Sequence, residues 1–445
     1  MHPMETIRGK VLLGLGLLLV LHLAIVLSIF RQPLNVSAHP PEARSWIWPL
    51  HHDTIHRDGP GADFFSVYHA GWALSEGVSP YAPYRGVVPY HYPFRYLPVV
   101  GWGMDLLFAG VGPVWGYLYW ILLLELTLFA LLTLFLRRIR GTGWRFFTAA
   151  VLLWSSPYFL ELHMGQFTFL TAALLSFALL PLSDAQGSRI GETILGTLGY
   201  SAAVLLKIFP LVAVPALLRQ RRGWPVAAGA GVLVVLVSAP YFLRHPDAWG
   251  AFWQGNAASY ESLHGGNFGF LYLVFQGLRD LGAEQWLLRW PGFVLAWKIV
   301  VLGTVALLVL KSREQRLLPL AAPLLLAHFV TYADVWEHHM SAVVVFGLWW
   351  LLAAQQAGDR RGLWLTAVSL VLLALPTPYA LFDRAADPAV MHPAVDWSFG
   401  ARLAVAGPKV LGVWLLLGLG LVTLWRAKAP DASAVARPVD ASHPG

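Results

Sequence analysis

Apolar blocks of about 18–22 residues dominate the sequence, and each is long enough for a helix to cross the roughly 30 Å hydrocarbon core of a bilayer. Hydrophobic residues make up 57% of the 445 residues and charged residues only 12%, which is about half the usual charged share. A soluble globular enzyme would need more charge to cover its surface, and a transmembrane β-barrel would show alternating segments of about ten residues. The sequence therefore predicts an all-α integral membrane protein.

The chain carries a net charge of +7 and contains no cysteine. Its basic residues sit in short segments between apolar blocks, which is typical of loops that orient a membrane protein rather than of a nucleic-acid surface. We therefore expect membrane lipids around the chain and no nucleic-acid partner. The absence of cysteine excludes disulfide bonds, thiolate nucleophiles and cysteine–metal sites.

The apolar blocks predict a polytopic bundle of about twelve transmembrane helices. Residues 1–428 form one transmembrane domain in this interpretation, and residues 429–445, rich in proline, alanine and serine, form a disordered cytoplasmic tail. The predicted spans are Val11–Phe30, Val114–Leu136, Phe146–Leu160, Phe167–Leu182, Ile194–Leu206, Ile208–Leu218, Pro225–Leu243, Pro291–Leu310, Leu317–Tyr332, Met340–Ala354, Leu363–Phe382 and Lys409–Trp425.

Clusters of basic residues set the predicted orientation. Under the positive-inside rule, clusters such as Arg137–Arg145 and Arg219–Arg222 mark cytoplasmic turns. Three long loops then lie outside, over residues 31–96, 244–290 and 383–408. This arrangement requires the apolar stretch around Lys207 to form two short helices that turn there.

Ionisable and polar residues are concentrated on this outer side. At membrane depth such residues are expensive and usually functional. An enzyme that acts on lipid-linked substrates needs them at one face, whereas a secondary transporter or flippase needs them near the midplane. There the chain offers little beyond Asp105, Glu125 and Lys298, so the pattern favours an enzyme over a transporter or flippase. The outer residues are Asp63, His69, Glu76, His91, Arg95, Glu161, His163, Gln166, Lys207, Asn256, Asn267, Asp334, Glu337, His338 and His339.

Several motifs follow one another in the order found in glycosyltransferase family 87, and the chain resembles that family over residues 60–350. The first motif runs from Asp63 through Tyr68, Ala70, Gly77 and Pro80 to Tyr81. Later motifs are Phe94-Arg95-Tyr96-Leu97-Pro98, Gly165-Gln166, Leu206-Lys207-Ile208-Phe209-Pro210, a degraded Gly255-Asn256 segment and Trp336-Glu337-His338-His339.

The resemblance implies a GT-C-type helical bundle and a transferase active on the outer face of a bacterial plasma membrane. It implies that mannose moves from a polyprenyl-phosphate donor to a lipid or glycan acceptor, with inversion at the anomeric carbon. A lipid-linked sugar donor and the acceptor are then the partners, with no metal or other cofactor. A transporter or flippase of lipid-linked sugars stays the alternative.

Glycosyl transfer needs a base for the acceptor hydroxyl and a cation for the leaving phosphate. Asp63 is the predicted base, with Asp58 and Asp53 of the same loop as alternatives, and the other interpretation of Asp63 is a helix N-cap. Lys207 is the first candidate for the phosphate and Arg95 the second. A lysine that snorkels at a helix end is the competing interpretation of Lys207.

The remaining site predictions concern side chains that would contact substrate. His338 is predicted to be catalytic by donating to the phosphate or sugar, with an interfacial residue or a metal ligand as alternatives. The other predicted substrate-binding residues are Gln166, His339, Glu337, Tyr68, Tyr81 and Asn256.

Overall fold

The computed structural model describes residues 3–30, 60–81, 94–184, 190–257, 267–377 and 398–427. Within these ranges the chain is helical and its only pairing of extended backbone is an isolated bridge between Asn267 and Trp336. The predicted tail and the alternative bases Asp53 and Asp58 lie outside the described residues. The α-helices are α1 (Pro3–Phe30), α2 (Ala62–Ser75), α3 (Pro98–Phe108), α4 (Gly112–Arg138), α5 (Thr142–Leu153), α6 (Ser156–Met164), α7 (Thr168–Asp184), α8 (Ile190–Leu206), α9 (Val214–Arg219), α10 (Gly223–Arg244), α11 (Pro246–Ala257), α12 (Phe270–Asp280), α13 (Glu284–Leu287), α14 (Trp290–Lys311), α15 (Leu317–Thr331), α16 (Met340–Ala357), α17 (Arg360–Ala374) and α18 (Phe399–Arg426).

Among the described residues, five helical segments are long and apolar enough to cross a membrane. A sixth results if the bent pair Thr142–Met164 and Thr168–Ser183, which meet at 115°, counts as one span. The prediction of an all-α membrane protein is confirmed, but the count of twelve spans is not. Other predicted spans lie on helices of 15 to 17 residues, such as α8, α15 and α17. The five long segments are Gly112–Arg138, Gly223–Arg244, Trp290–Lys311, Glu337–Ala357 and Phe399–Arg426.

Helices α15 and α16 form the centre of the bundle. In the most apolar stretch of the segment Glu337–Ala357, which contains α16, 83% of the residues are buried inside the protein. The corresponding share in α14 is 17%. A helix that is apolar all round is stable only when neighbours or lipid surround it. The apolar surface of α14 and α10 therefore faces outward, where lipid would cover it, and the bundle centre supports the loop between α15 and α16.

The structure corrects the predicted continuous span Phe146–Leu160, because the helix breaks at Trp154 and Ser155. Pro157 has no N–H to donate to the carbonyl of Leu153, four residues earlier. His22 of α1 makes that hydrogen bond instead through Nδ1, at 2.7 Å. Its Nε2 lies 2.9 Å from Glu125, which also accepts from Tyr158 just after the break. Helices α1, α4, α5 and α6 are thus tied together at the break.

Helix α2, which carries Asp63, packs closely on α3. A Cβ atom on Gly71 would lie 2.4 Å from the carbonyl oxygen of Gly101, so only two glycines allow the backbones to approach this far. Ser75 donates to Asp105 of α3 at the far end of the crossing. These contacts fix α2 against the bundle and therefore fix the position of Asp63 in its first turn.

Candidate functional site

The first turn of α2 is attached to the turn between α6 and α7. The N–H of Gly61 donates to the carbonyl of His163 at 2.7 Å, and Asp63 follows in the first turn of α2. Gly165 ends α6 with φ of +68°, a left-handed conformation that favours glycine. Because Gly165 lacks a side chain, Phe64 packs directly over it. Half-buried Asp63 is thereby held beside the turn that carries Gln166.

Gln166 connects the separate segments of the site. Its Oε1 accepts hydrogen bonds from Lys207 Nζ at 3.1 Å and from the hydroxyl of Tyr96 at 3.3 Å. The backbone N–H of Phe167 donates to the same oxygen at 3.2 Å. Because all three partners donate, the amide oxygen faces them and the NH₂ group points away. Gln166 therefore orients Lys207 and Tyr96 from a fixed position.

Lys207 lies where the sequence predicts a turn, directly after α8 ends at Leu206. Among the residues that the structure describes, its ammonium donates one hydrogen bond, to Gln166, and lies 5.3 Å from the centre of the Tyr96 ring. Burial lowers the pKa of Lys207, whereas the nearby carboxylates of Glu161, Asp63 and Asp334 favour its charged form. The predicted base and the predicted phosphate ligand thus lie close enough to interact.

Tyr96 stays protonated in this environment. Burial raises the pKa of Tyr96 well above its usual range, and the carboxylates of Asp63 and Glu161 raise it further. Its hydroxyl is therefore a hydrogen-bond donor at neutral pH, which agrees with its bond to Gln166. Sequence reasoning used Tyr96 only as part of a motif and did not select it as a site residue.

Arg95 pairs with Asp334 across 239 residues of chain, with Nη1 donating to Oδ2 at 3.1 Å. The Asp334 side chain is only 8% exposed and that of Arg95 27%, so the pair lies at the edge of the site. Asn256 donates to the carbonyl of Arg95 at 3.2 Å. Tyr81 donates to the carbonyl of Tyr96 at 2.7 Å. Asn256 and Tyr81, predicted to bind substrate, hold the backbone of Arg95 and Tyr96 in place.

Glu161 is a fully buried carboxylate that the sequence placed among the outer polar residues but did not assign to the site. Its Oε1 accepts from the N–H of Phe169 at 2.7 Å, and its Oε2 accepts from Ser341 at 3.0 Å. It acts electrostatically on Lys207. Its position five residues before Gln166 could have indicated that it belongs to the same site. This spacing does not reveal that its partner is Ser341 on α16.

His338 and His339 lie in the 3₁₀ helix Glu337–His339, with ring centres 4.3 Å apart. The N–H of Trp336 donates to Nδ1 of His339 at 3.0 Å, so a neutral His339 carries its proton on Nε2. Neither ring nitrogen of His338 has a hydrogen-bond partner among the described residues, although the residue is only 3% exposed. Lys207 acts electrostatically on both rings.

Tyr68 lies on α2, five residues after Asp63. Its ring packs on Phe64 and His69. Burial raises the pKa of Tyr68, and the carboxylate of Asp105 adds to the effect. Its described contacts are therefore with α2 and α3, and none is with Gln166 or Lys207.

Comparison with known proteins identifies the family. The family model described as glycosyltransferase family 87 matches residues 94–334, which is just over half of the chain. The chain belongs to glycosyltransferase family 87. A comparison with curated proteins finds no match. The protein is thus a membrane glycosyltransferase that uses a sugar donor and an acceptor.

The family 87 match covers most of the segments that meet at Gln166. Arg95, Tyr96, Glu161, Lys207 and Asp334 all fall within the matched residues. Two predicted parts of the site, the start of α2 and the Glu337–His339 turn, lie outside the match. Packing in the structure brings both of them to the matched segments.

A metal site was one interpretation of the adjacent histidines. Within the described ranges, no group of three or more histidine, aspartate or glutamate side chains is arranged to hold a metal ion. The adjacent rings of His338 and His339 meet edge to face, at 62°. Among the described residues, the structure offers this pair no third ligand.

Replacing Gly165 by alanine should disturb the site more than it disturbs the fold. The new Cβ would lie 2.5 Å from Phe64 Cβ, and relieving that contact moves the start of α2 by about 1 Å, which can lower kcat about 100-fold. Gly358→Ala is the matched control, because Gly358 has φ of +67° and its Cβ would meet nothing within 4 Å. We expect both variants to lose thermal stability, Gly165→Ala more because of the added contact, and a kcat loss only in Gly165→Ala. Equal activities would contradict the proposed placement of Asp63.

Proposed function

We propose that the protein transfers mannose from a polyprenyl-phosphate donor to a lipid or glycan acceptor at the outer membrane face, with inversion. The observation that best supports this is that the segments carrying a carboxylate, Asp63, and an ammonium, Lys207, are both bonded to the turn of Gln166. A base and a cation in one place are what transfer from a phosphate-linked sugar requires.

In the proposed step the acceptor hydroxyl attacks the anomeric carbon of the donor sugar. Its proton passes to the carboxylate of Asp63 as the new C–O bond forms. The bond between the anomeric carbon and the phosphate oxygen breaks, and the phosphate leaves with the electron pair. Lys207 and Arg95 stabilise the charge that develops on the leaving phosphate. Attack opposite the leaving group gives inversion.

The two histidines complete this proposal. A proton on Nε2 of His339 makes that atom a donor for a phosphate or sugar oxygen. The imidazole of His338 makes no described hydrogen bond within the protein, so its N–H remains available to donate to a substrate oxygen and its other nitrogen to accept from a substrate hydroxyl. Buried polar atoms gain most from a bond to ligand because solvent does not compete for them.

The outer-face location rests on charge and on helix composition. Basic residues cluster at Arg137–Arg145 and at Arg219–Arg222, and such clusters are typically cytoplasmic. Arg137 and Arg138 end α4, whose other end reaches the site through the hydrogen bond from Tyr117 to the carbonyl of His163. A bacterial plasma membrane with the site facing outward fits this arrangement. Glu125, which a transporter could use near the midplane, is bonded to His22 and Tyr158. We therefore favour transfer over transport.

The test uses the full chain in nanodiscs with polyprenyl-phosphate mannose labelled in the sugar and a bacterial lipid or glycan acceptor fraction. We expect label in the acceptor, release of polyprenyl phosphate, and a product of opposite anomeric configuration by NMR. The control donor is GDP-mannose, which carries the same sugar but no lipid, and we expect no transfer from it. Transfer from GDP-mannose would reject the lipid-linked donor, and a retained configuration would reject direct displacement.

A further inference from the structure

A buried ion pair joins the C-terminal helix α18 to the turn that carries His338 and His339. Lys409 Nζ lies 3.4 Å from Glu337 Oε1, and the two side chains are 3% and 1% exposed. Desolvation of two charges is expensive, so such a pair is stable only with further hydrogen bonds and good geometry. Those additional bonds are present on both sides of the pair.

Every proton of the Lys409 ammonium has an acceptor nearby. Besides Glu337, the ammonium donates to the carbonyl oxygens of Leu373 at 2.6 Å and Leu375 at 2.5 Å. These carbonyls lie at the C-terminal end of α17. Carbonyls at a helix C-terminus carry partial negative charge, which favours a cation. Lys409 therefore caps α17 while it pairs with Glu337.

The carboxylate of Glu337 has a further partner as well. Glu337 Oε1 also accepts a hydrogen bond from Ser156, in the first turn of α6, at 3.1 Å. Glu337 begins the 3₁₀ helix Glu337–His339, which is closed by mutual hydrogen bonds between Trp336 and His339. Helices α6, α17 and α18 thus all act on this turn through one carboxylate.

His338 depends on this turn for its orientation. Since neither of its ring nitrogens has a hydrogen-bond partner among the described residues, backbone position and packing determine where the ring points. We propose that Lys409 is a positioning residue for glycosyl transfer, which acts through Glu337 to hold the turn that aims His338 and His339 at the site. The proposal rests on the proposed roles of these two imidazoles.

Both residues of the ion pair lie outside the part of the chain that the family model matches. The match ends at residue 334, whereas Glu337 and Lys409 follow it. Glu337 was predicted to bind substrate, but its described ion pair and side-chain hydrogen bond are with Lys409 and Ser156, and its charge acts on the neighbouring ring of His338. Under the proposal its effect on transfer is indirect.

The kinetic test compares Lys409→Met with a double variant in the full chain in nanodiscs. Lys409→Met leaves Glu337 buried without its cation, and the displaced turn should lower kcat about 100-fold. Lys409→Met/Glu337→Gln removes both charges and should recover about tenfold of that loss, because breaking a buried pair is worse than replacing it. The KM for the donor should change less than kcat in both variants.

Arg402→Met is the matched control on the same helix. Arg402 is 3% exposed and pairs with Asp280 of α12 rather than with Glu337. We expect its kcat to stay within about threefold of the unmodified chain, since its removal leaves the Glu337 turn intact. Equal losses of kcat in Arg402→Met and Lys409→Met would overturn the proposal.

A second measurement needs no donor. Histidine side chains labelled with ¹⁵N are followed by NMR, and the His338 signals are assigned by their loss in His338→Gln. We expect Lys409→Met and Glu337→Gln to shift the His338 signals and Arg402→Met to leave them unchanged. Unshifted signals in Lys409→Met, or in Glu337→Gln if Lys409→Met fails to fold, would reject the positioning role. If the His338 signals shift but the unmodified chain does not use polyprenyl-phosphate mannose, the positioning role is supported and only the proposed function is rejected.

Discussion

Asp63→Asn should reduce the rate of sugar transfer about 1,000-fold, within the range that loss of a general base typically gives. The amide has nearly the same shape as the carboxylate but does not take up the proton of the acceptor hydroxyl. Its contacts with the donor change little, so the donor dissociation constant should stay within about threefold of the original value. Single-turnover release of polyprenyl phosphate measures the rate, and equilibrium binding of the donor measures affinity.

Glu76→Gln provides the control for Asp63→Asn. Glu76 is an exposed carboxylate directly after the C-terminal end of the same helix α2. We expect its transfer rate to match that of the unmodified chain. If Asp63→Asn transfers sugar as fast as Glu76→Gln does, Asp63 is not the base.

Lys207→Met should lower kcat/KM about 100- to 1,000-fold, which is the typical effect of removing one group that stabilises transition-state charge. Methionine keeps an apolar stem of similar length but removes the ammonium that Gln166 orients at 3.1 Å. In the proposed mechanism the leaving phosphate then loses the charge of Lys207, and Arg95, engaged with Asp334, compensates only in part. The measurement is initial transfer rate against donor concentration.

Lys311→Met is the control for charge removal alone, since Lys311 is exposed at the end of α14. We expect it to keep full activity. Lys207→Arg should recover part of the loss, because a guanidinium keeps the charge but differs in shape. An active Lys207→Met protein would show that Lys207 only snorkels at a helix end.

The local features of the site were accessible from the sequence. Motif order selected Asp63, Lys207 and Gln166, and the structure brings these three segments together. The helix break predicted near Lys207 agrees with the end of α8 at Leu206, whereas the predicted second span Ile208–Leu218 is a 3₁₀ helix followed by the short α9. Such features are predictable because a proline, a glycine or a charged residue between apolar runs changes local conformation directly.

The partners of these residues were not accessible from the sequence. Tyr81, Asn256 and Glu337 share the polar character of substrate ligands, yet their described hydrogen bonds go to protein groups. Glu161 and Lys409 were not selected, since a buried charge is recognisable only when its neighbours are known. Sequence spacing does not determine which distant helix supplies them.

The sequence by itself determined that this chain is helical, lies in a membrane and resembles family 87, because hydropathy and motif order are properties of consecutive residues. The tertiary structure decided which polar groups meet. Arg95 and Asp334 are 239 residues apart, and Lys409 and Glu337 lie on different helices. Burial makes each of these charges require a partner, and helix packing alone determines which partner is within reach.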